Sequence, residues 1–175
     1  MERIFKYRLF DRRSVLITGA VALAVAAAVV WIWLRSGEGG YMTAWVVSFL
    51  AAVLALYVLS VPRRIEIGEM AIEIRCVVEL TKISFADLSS VRRVEREEMR
   101  SMIPLLGSFG FFGYYGYYLD LKKWETVKLY CGRWENFIEI KDIYEQRYIV
   151  NAGRPDELVA SVKEAAAAYN RRLSD

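Results

Sequence analysis

Two early stretches of the chain, Ser14 to Leu34 and Thr43 to Val61, contain no Asp, Glu, Lys or Arg. As a helix rising about 1.5 Å per residue, each is long enough to cross a hydrocarbon core of about 30 Å. Trp31 and Trp33 close the first run, and Trp45 and Tyr57 mark the ends of the second, where interfacial aromatics stand. The short polar segment Arg35 to Met42 joins them, and Pro62, Arg63 and Arg64 stop the second. The pattern predicts a transmembrane hairpin (helices 14–34 and 43–61) behind a basic cytoplasmic tail over 1–13. A cleaved signal peptide is the competing reading of the first run. The run is longer than a signal core of about 7–15 residues, and a second span follows at once, which favours the hairpin. Ala20, Ala24 and Ala28 on one helix, and Ala44, Ser48 and Ala52 on the other, form small-residue packing faces. A charge inside a span would mark a transport path. Neither span has one, so the hairpin reads as an anchor.

From Ile65 onward the period shortens to two. Ile65-Glu66-Ile67, a turn at Gly68-Glu69, and Ala71-Ile72-Glu73-Ile74-Arg75 predict a β-hairpin. Strand-like composition continues over Val77 to Leu80, Ile83 to Phe85 and Val91 to Glu95, with a turn at Asp87 to Ser90. Three further strands are expected at Thr126 to Cys131, Phe137 to Lys141 and Arg147 to Val150, the last two as a hairpin. A helix over 155–172 closes the chain. Pro155 suits its first position, acidic Asp156 and Glu157 its start, and Arg171 and Arg172 its end. Leu158, Val162, Ala165 and Tyr169 share one apolar face of it. About seven short antiparallel strands and one amphipathic helix predict a mainly-β domain over 62–175, a bent sheet or barrel capped by the helix.

Between these strands lies Leu105 to Tyr118, with Gly107, Gly110, Gly113 and Gly116 at every third position and aromatics between. A phosphate cradle needs glycines before a helix N-terminus with small polar neighbours. Here aromatics replace them and a strand follows, which excludes a nucleotide loop. The candidate site residues are Phe109, Phe111, Phe112, Tyr114, Tyr115, Tyr117 and Tyr118. These rings either fill the domain's core or present an adhesive surface to the bilayer or a partner.

The whole net charge of +3 lies before Pro62, and the remainder is charge-balanced, unlike a nucleic-acid binder. The chain has no histidine, which removes the usual general base and the commonest zinc ligand. Cys76 and Cys131 stand far apart and read as buried thiols. No catalytic, cofactor or metal motif is present. Five Lys or Arg residues precede the first span, one lies between the spans and two follow the second, which places both termini in the cytoplasm.

Phe85-Ala86-Asp87-Leu88-Ser89-Ser90-Val91, the four-glycine aromatic run, Tyr148-Ile149-Val150 and Pro155-Asp156-Glu157-Leu158 resemble the bacterial pleckstrin-homology-like (PH-like) family. The resemblance covers about Arg64 to Tyr169. Lys122-Lys123-Trp124-Glu125 stands where some relatives carry a glycine turn. The resemblance implies a PH-like fold and an interaction role, often behind two membrane spans. Phosphoinositide-binding relatives surround the first hairpin with basic residues. Here Arg64 and Arg75 alone flank Gly68-Glu69-Met70, too few for a polyphosphate headgroup. Arg92, Arg93, Arg96 and Arg100 alternate with Glu95, Glu97 and Glu98 and read as a self-paired surface.

The expected protein is therefore a multi-pass protein of the cytoplasmic (inner) membrane. It is read as a non-enzymatic interaction module, held to the bilayer by two helices and binding a protein partner or sensing the membrane. The alternatives are a small membrane enzyme or transporter component using carboxylates and tyrosines, and lipid binding through the glycine-aromatic run.

Overall fold

The computed structural model describes residues 3–6, 12–35, 40–59, 61–76 and 80–174. The connecting loop at 36–39, the Tyr57 ring and residues 77–79 of the strand expected over Val77 to Leu80 lie outside the described residues.

The uncharged runs form two helices in contact with each other, α1 (Arg12–Arg35) and α2 (Gly40–Leu59). Among the described residues, α1 is long and apolar enough by length and composition to cross a membrane, whereas the apolar portion found in α2, Thr43–Ala55, is shorter than that criterion asks. Of the two expected spans, one therefore meets that criterion. Trp31, Trp33 and Trp45 are exposed on the helix surfaces.

The four residues Arg3–Lys6, read from the sequence as basic tail, form a strand, β1. Its apolar pair Ile4-Phe5 is too short to register as an alternation, and its strand character comes from its partner. Here β1 lies antiparallel along β2 (Pro62–Ile67), with Lys6 opposite Arg64. The predicted hairpin follows as β2 and β3 (Ala71–Cys76), closed by a Gly68 N–H to Ala71 carbonyl bond of 3.0 Å. With β4 (Leu80–Ser84) they form a four-stranded sheet in chain order. A 3-10 turn at Phe85–Asp87 follows, where the Ala86 N–H donates to Ser84 Oγ. The turn expected at Asp87 to Ser90 thus sits slightly earlier, and Leu88 already begins the next strand.

The second sheet has six strands: β5 (Leu88–Val94), β6 (Met102–Phe109), β7 (Tyr114–Asp120), β8 (Glu125–Cys131), β9 (Phe137–Asp142) and β10 (Arg147–Asn151). Their order is β5-β9-β10-β8-β7-β6. The expected all-antiparallel pattern fails at one pair, because β10 runs parallel to β8. After β8 the chain crosses one strand position before laying down β9, and the β9–β10 hairpin then folds back into the gap. Among the described residues there are ten strands rather than about seven. The extra ones are β1 and the β6–β7 pair, which the glycine spacing had disguised.

Both faces of the six-stranded sheet carry buried residues. One face meets the four-stranded sheet and α3 (Pro155–Ser174), through Ile65, Ile72, Ile74, Val91, Ile138, Ile140 and Val150. Leu158 and Val162 of α3 are fully buried there, with Ala165 and Tyr169 packed alongside, as the helix periodicity predicted. Full burial of each such aliphatic side chain is worth about 1.5–3 kcal/mol. The opposite face curls around Met99, Met102, Tyr114, Tyr118, Leu129, Phe137 and Ile149. Strand β1 is tied to the capping helix, where Arg3 donates to Ser161 Oγ at 2.9 Å and pairs with Glu164 at 3.0 Å.

Candidate functional site: a glycine-aromatic hairpin docked on the first helix

The four-glycine run is a hairpin, and its spacing is a reflection about Phe111-Phe112 rather than a repeat. Gly107 pairs with Gly116 across β6 and β7, and at the tip the Gly110 N–H donates to the Gly113 carbonyl at 2.9 Å. A Cβ on Gly107 would lie 2.1 Å from the Tyr115 carbonyl oxygen, and one on Gly116 would lie 2.2 Å from that of Leu106. Both glycines have positive φ, +141° and +111°, which side-chain-bearing residues avoid. Ser108 holds the tip from within, donating to the Phe111 carbonyl and, at 3.0 Å, to the Gly113 carbonyl. The Tyr118 hydroxyl donates to the Ser108 carbonyl.

The seven rings divide by position. Tyr114, Tyr115 and Tyr118 are buried, and burial pushes the Tyr118 phenol well above its ordinary value. Phe111 and Phe112 are half-buried at the tip and meet edge to face at 4.8 Å. Phe109 is partly exposed but packs on Tyr114 and Trp134 at 5.7 and 5.8 Å. Tyr117 lies on the outer face beside Leu106, its ring 5.5 Å from Lys128 Nζ. The core and surface readings therefore each hold for part of the run.

The tip rests on the foot of α1. Ser14 Oγ donates to the Gly110 carbonyl at 2.7 Å, and the Phe112 N–H donates to Thr18 Oγ1 at 3.1 Å. Ile17 sits over Gly110, where an added Cβ would come within 2.6 Å of its Cδ1. The Arg13 guanidinium lies 5.7 Å from the Phe109 ring centre, in cation–π range. Sequence reasoning missed these four helix residues. The available signal was two hydroxyls four residues apart, Ser14 and Thr18, at the mouth of an apolar run, where they share one helix face. Removing both hydroxyls, Ser14→Ala with Thr18→Val, strands the Gly110 carbonyl and the Phe112 N–H. The expected result is a loss of about 1–3 kcal/mol and faster protease cleavage at 110–113, read by limited proteolysis in detergent.

At the far end of the same sheet face lies a buried ionic cluster. The Arg147 guanidinium donates to Glu139 at 2.6 and 2.8 Å, to Asp120 at 2.9 Å and to Glu125 at 3.3 Å. Arg92 donates to Glu139 at 2.9 Å and to both oxygens of Glu98. Burial pushes the Asp120 carboxyl up, but Arg147, the Lys122 N–H and the Ser101 hydroxyl outweigh it and hold it below its ordinary value. Glu139 behaves alike, with burial opposed by Arg147 and Arg92. A general acid near neutral pH needs the opposite shift. Among the described residues no three His, Cys, Asp or Glu side chains gather as a metal site.

Two basic residues of the first hairpin, Arg64 and Arg75, are paired. Arg64 and Arg75 both reach Glu66 at 2.6 Å, Arg75 also meets Glu73, and Glu69 pairs with Arg172 at 2.9 Å. A groove of about 160 Å³ beside this hairpin, under α3, is lined by the same pair with Arg3 and Glu164, which also pair with each other. Arg92 pairs with Glu98 inside the alternating-charge segment, as expected, whereas Arg93 pairs outside it, with Asp156 on α3.

No curated protein and no solved structure matches the chain. Residues 63–166 match the family described as Bacterial PH domain, a span that takes in β2 to β10 and most of α3. With that match over more than half its length, the chain belongs to the bacterial PH domain family.

Proposed function

We propose that the protein is a membrane-anchored, non-enzymatic interaction module: α1 and α2 form a transmembrane hairpin, and the PH-like domain meets a protein partner at the inner leaflet. One observation carries this reading. The chain enters the helix pair from β1 and leaves it into β2, and these two strands are hydrogen-bonded neighbours. Both outer ends of the helix pair therefore return to one domain, so a crossing by α1 calls for a return crossing by α2. Basic residues concentrate at those ends, with Arg12 and Arg13 in the first turn of α1 and Arg63 and Arg64 after α2, against Arg35 at the far end. That distribution supports a cytoplasmic domain. PH-like domains are generally interaction modules, and the ionic cluster, with each buried carboxylate held down by an arginine, fits that role better than acid–base catalysis.

The test is sidedness. In intact cells stripped of outer layers, Tyr41→Cys, exposed at the start of α2, is expected to react with a membrane-impermeant maleimide. Lys163→Cys on α3 is expected to react only after lysis. Equal reaction of both before lysis would overturn the reading, as would failure of the protein to resist carbonate extraction.

A further inference from the structure

Resting on that membrane reading, we propose that the head of the β6–β7 hairpin is a lipid-contact surface in its own right: Leu106 and Phe109 lie in the headgroup zone of the leaflet that α1 enters, beside Arg13. The occupant is phospholipid of the host bilayer.

The docking contacts fix the height of the hairpin. The uncharged run of α1 begins at Ser14, and Gly110 packs against Ile17, roughly 4–5 Å further along the axis. Phe109 precedes Gly110 directly, so it lies level with the start of the run. Leu106 is four residues back, at most about 13 Å along an extended strand. With β6 parallel to the helix axis Leu106 would lie about 9 Å below Ser14, and a tilt of more than about 30° keeps it inside the interfacial layer, about 5–8 Å thick on each side of the hydrocarbon core. Apolar groups of interfacial elements settle in this zone, about 5–10 Å deep at the headgroup–acyl boundary.

The chemistry of the surface suits lipid. Leu106 is 72% exposed and its neighbour Leu105 56%, a large apolar area to leave in water. Strand β6 is the outermost of its sheet, so a strand from another chain is the rival occupant. Its edge is poorly built for pairing, because Pro104 has no N–H to offer and the register slips between Pro104 and Leu106. Edges so interrupted resist strand addition, whereas a fluid apolar phase needs no register. Arg13 makes no ion pair among the described residues and stacks over Phe109, so its guanidinium can take a lipid phosphate at the same level.

The full-length protein in nanodiscs of phosphatidylcholine and phosphatidylglycerol provides the test. The two native thiols, Cys76 and Cys131, are buried, so a single environment-sensitive NBD label goes on Leu106→Cys, with Lys163→Cys as comparator. At 106 the label is expected to emit blue-shifted and to lose most of its fluorescence when doxyl-labelled lipid is included, while at 163 it does neither. Water-like, unquenched emission at 106 from protein that resists carbonate extraction overturns the lipid contact and leaves the anchoring intact. Efficient crosslinking of Leu106→Cys between two copies overturns it in favour of an edge interface. Loss of the protein on carbonate extraction overturns both this inference and the membrane reading beneath it.

Discussion

Replacing Gly107 with alanine is expected to cost about 3–5 kcal/mol, enough to unfold the β6–β7 hairpin in a protein of ordinary marginal stability. Two terms combine. The residue's φ of +141° is one that a side-chain-bearing residue seldom adopts, and the new Cβ would sit 2.1 Å from a backbone oxygen on the partner strand. A backbone oxygen cannot swing aside as a flexible side chain can, so the strands must part. Parting them exposes Tyr114 and Tyr118, both fully buried, and releases the tip from α1. Thermal unfolding of the purified protein in detergent should report the loss, together with rapid proteolysis between 105 and 118. Gly153→Ala is the matched control. It has open space around its Cβ position and should stay within about 0.5 kcal/mol of the parent. Equal melting of the two variants would mean that the strands do not approach as closely at Gly107 and Gly116 as described.

The glycine run also explains which parts of the fold could be read from the sequence. Where side-chain periodicity and burial agree, as at Ile72, Ile74, Ile138 and Ile140 on the sheets or Leu158 and Val162 on the last helix, the pattern predicts the element. In the run from Leu105 to Tyr118, glycine replaces every third side chain and the period-two signal disappears, although the backbone is two strands. The operative relation there is the pairing of Gly107 with Gly116 across the hairpin, which emerges only once a turn is placed at Phe111-Phe112. Strand β1 was hidden for another reason. Its short apolar pair, Ile4-Phe5, acquires a ladder only by meeting β2, more than 50 residues away. The docking of the tip on Ser14 and Thr18 is likewise a long-range event, spanning more than 90 residues. Their hydroxyls, viewed along α1 alone, are small polar groups that an apolar helix tolerates. The candidate rings were legible as a group, because no small core has room for all seven. Their division into buried Tyr114, Tyr115 and Tyr118 and more exposed Phe109 and Tyr117 depends on register, which no composition encodes.

The second large effect is expected at Arg147. This side chain is 4% exposed and answers Glu139 and Asp120, themselves nearly buried. Arg147→Met keeps much of the volume but leaves both carboxylates short of a partner, although Arg92 still reaches Glu139 and Ser101 still reaches Asp120. Breaking a buried pair from one side costs about 3–5 kcal/mol. Acid should distinguish lost charge pairing from lost packing. In the parent, both carboxyls are held below their ordinary values. Their stabilising contribution is therefore complete above about pH 4 and is lost as pH falls through those lowered values. In the variant, burial is no longer offset by Arg147, and the folded-state values rise. Protonation then relieves the variant between neutral pH and about pH 4, a range in which the parent gains nothing. Denaturant unfolding in detergent at pH 7.5 and pH 4.5 is expected to show a wide gap between parent and variant at the higher pH and a narrower one at the lower. A gap that stays constant across that range would assign Arg147 to packing alone. The ionic cluster would then not be the electrostatic clamp that ties β5, β9, β10 and β7 together at the end of the sheet remote from the docked hairpin tip.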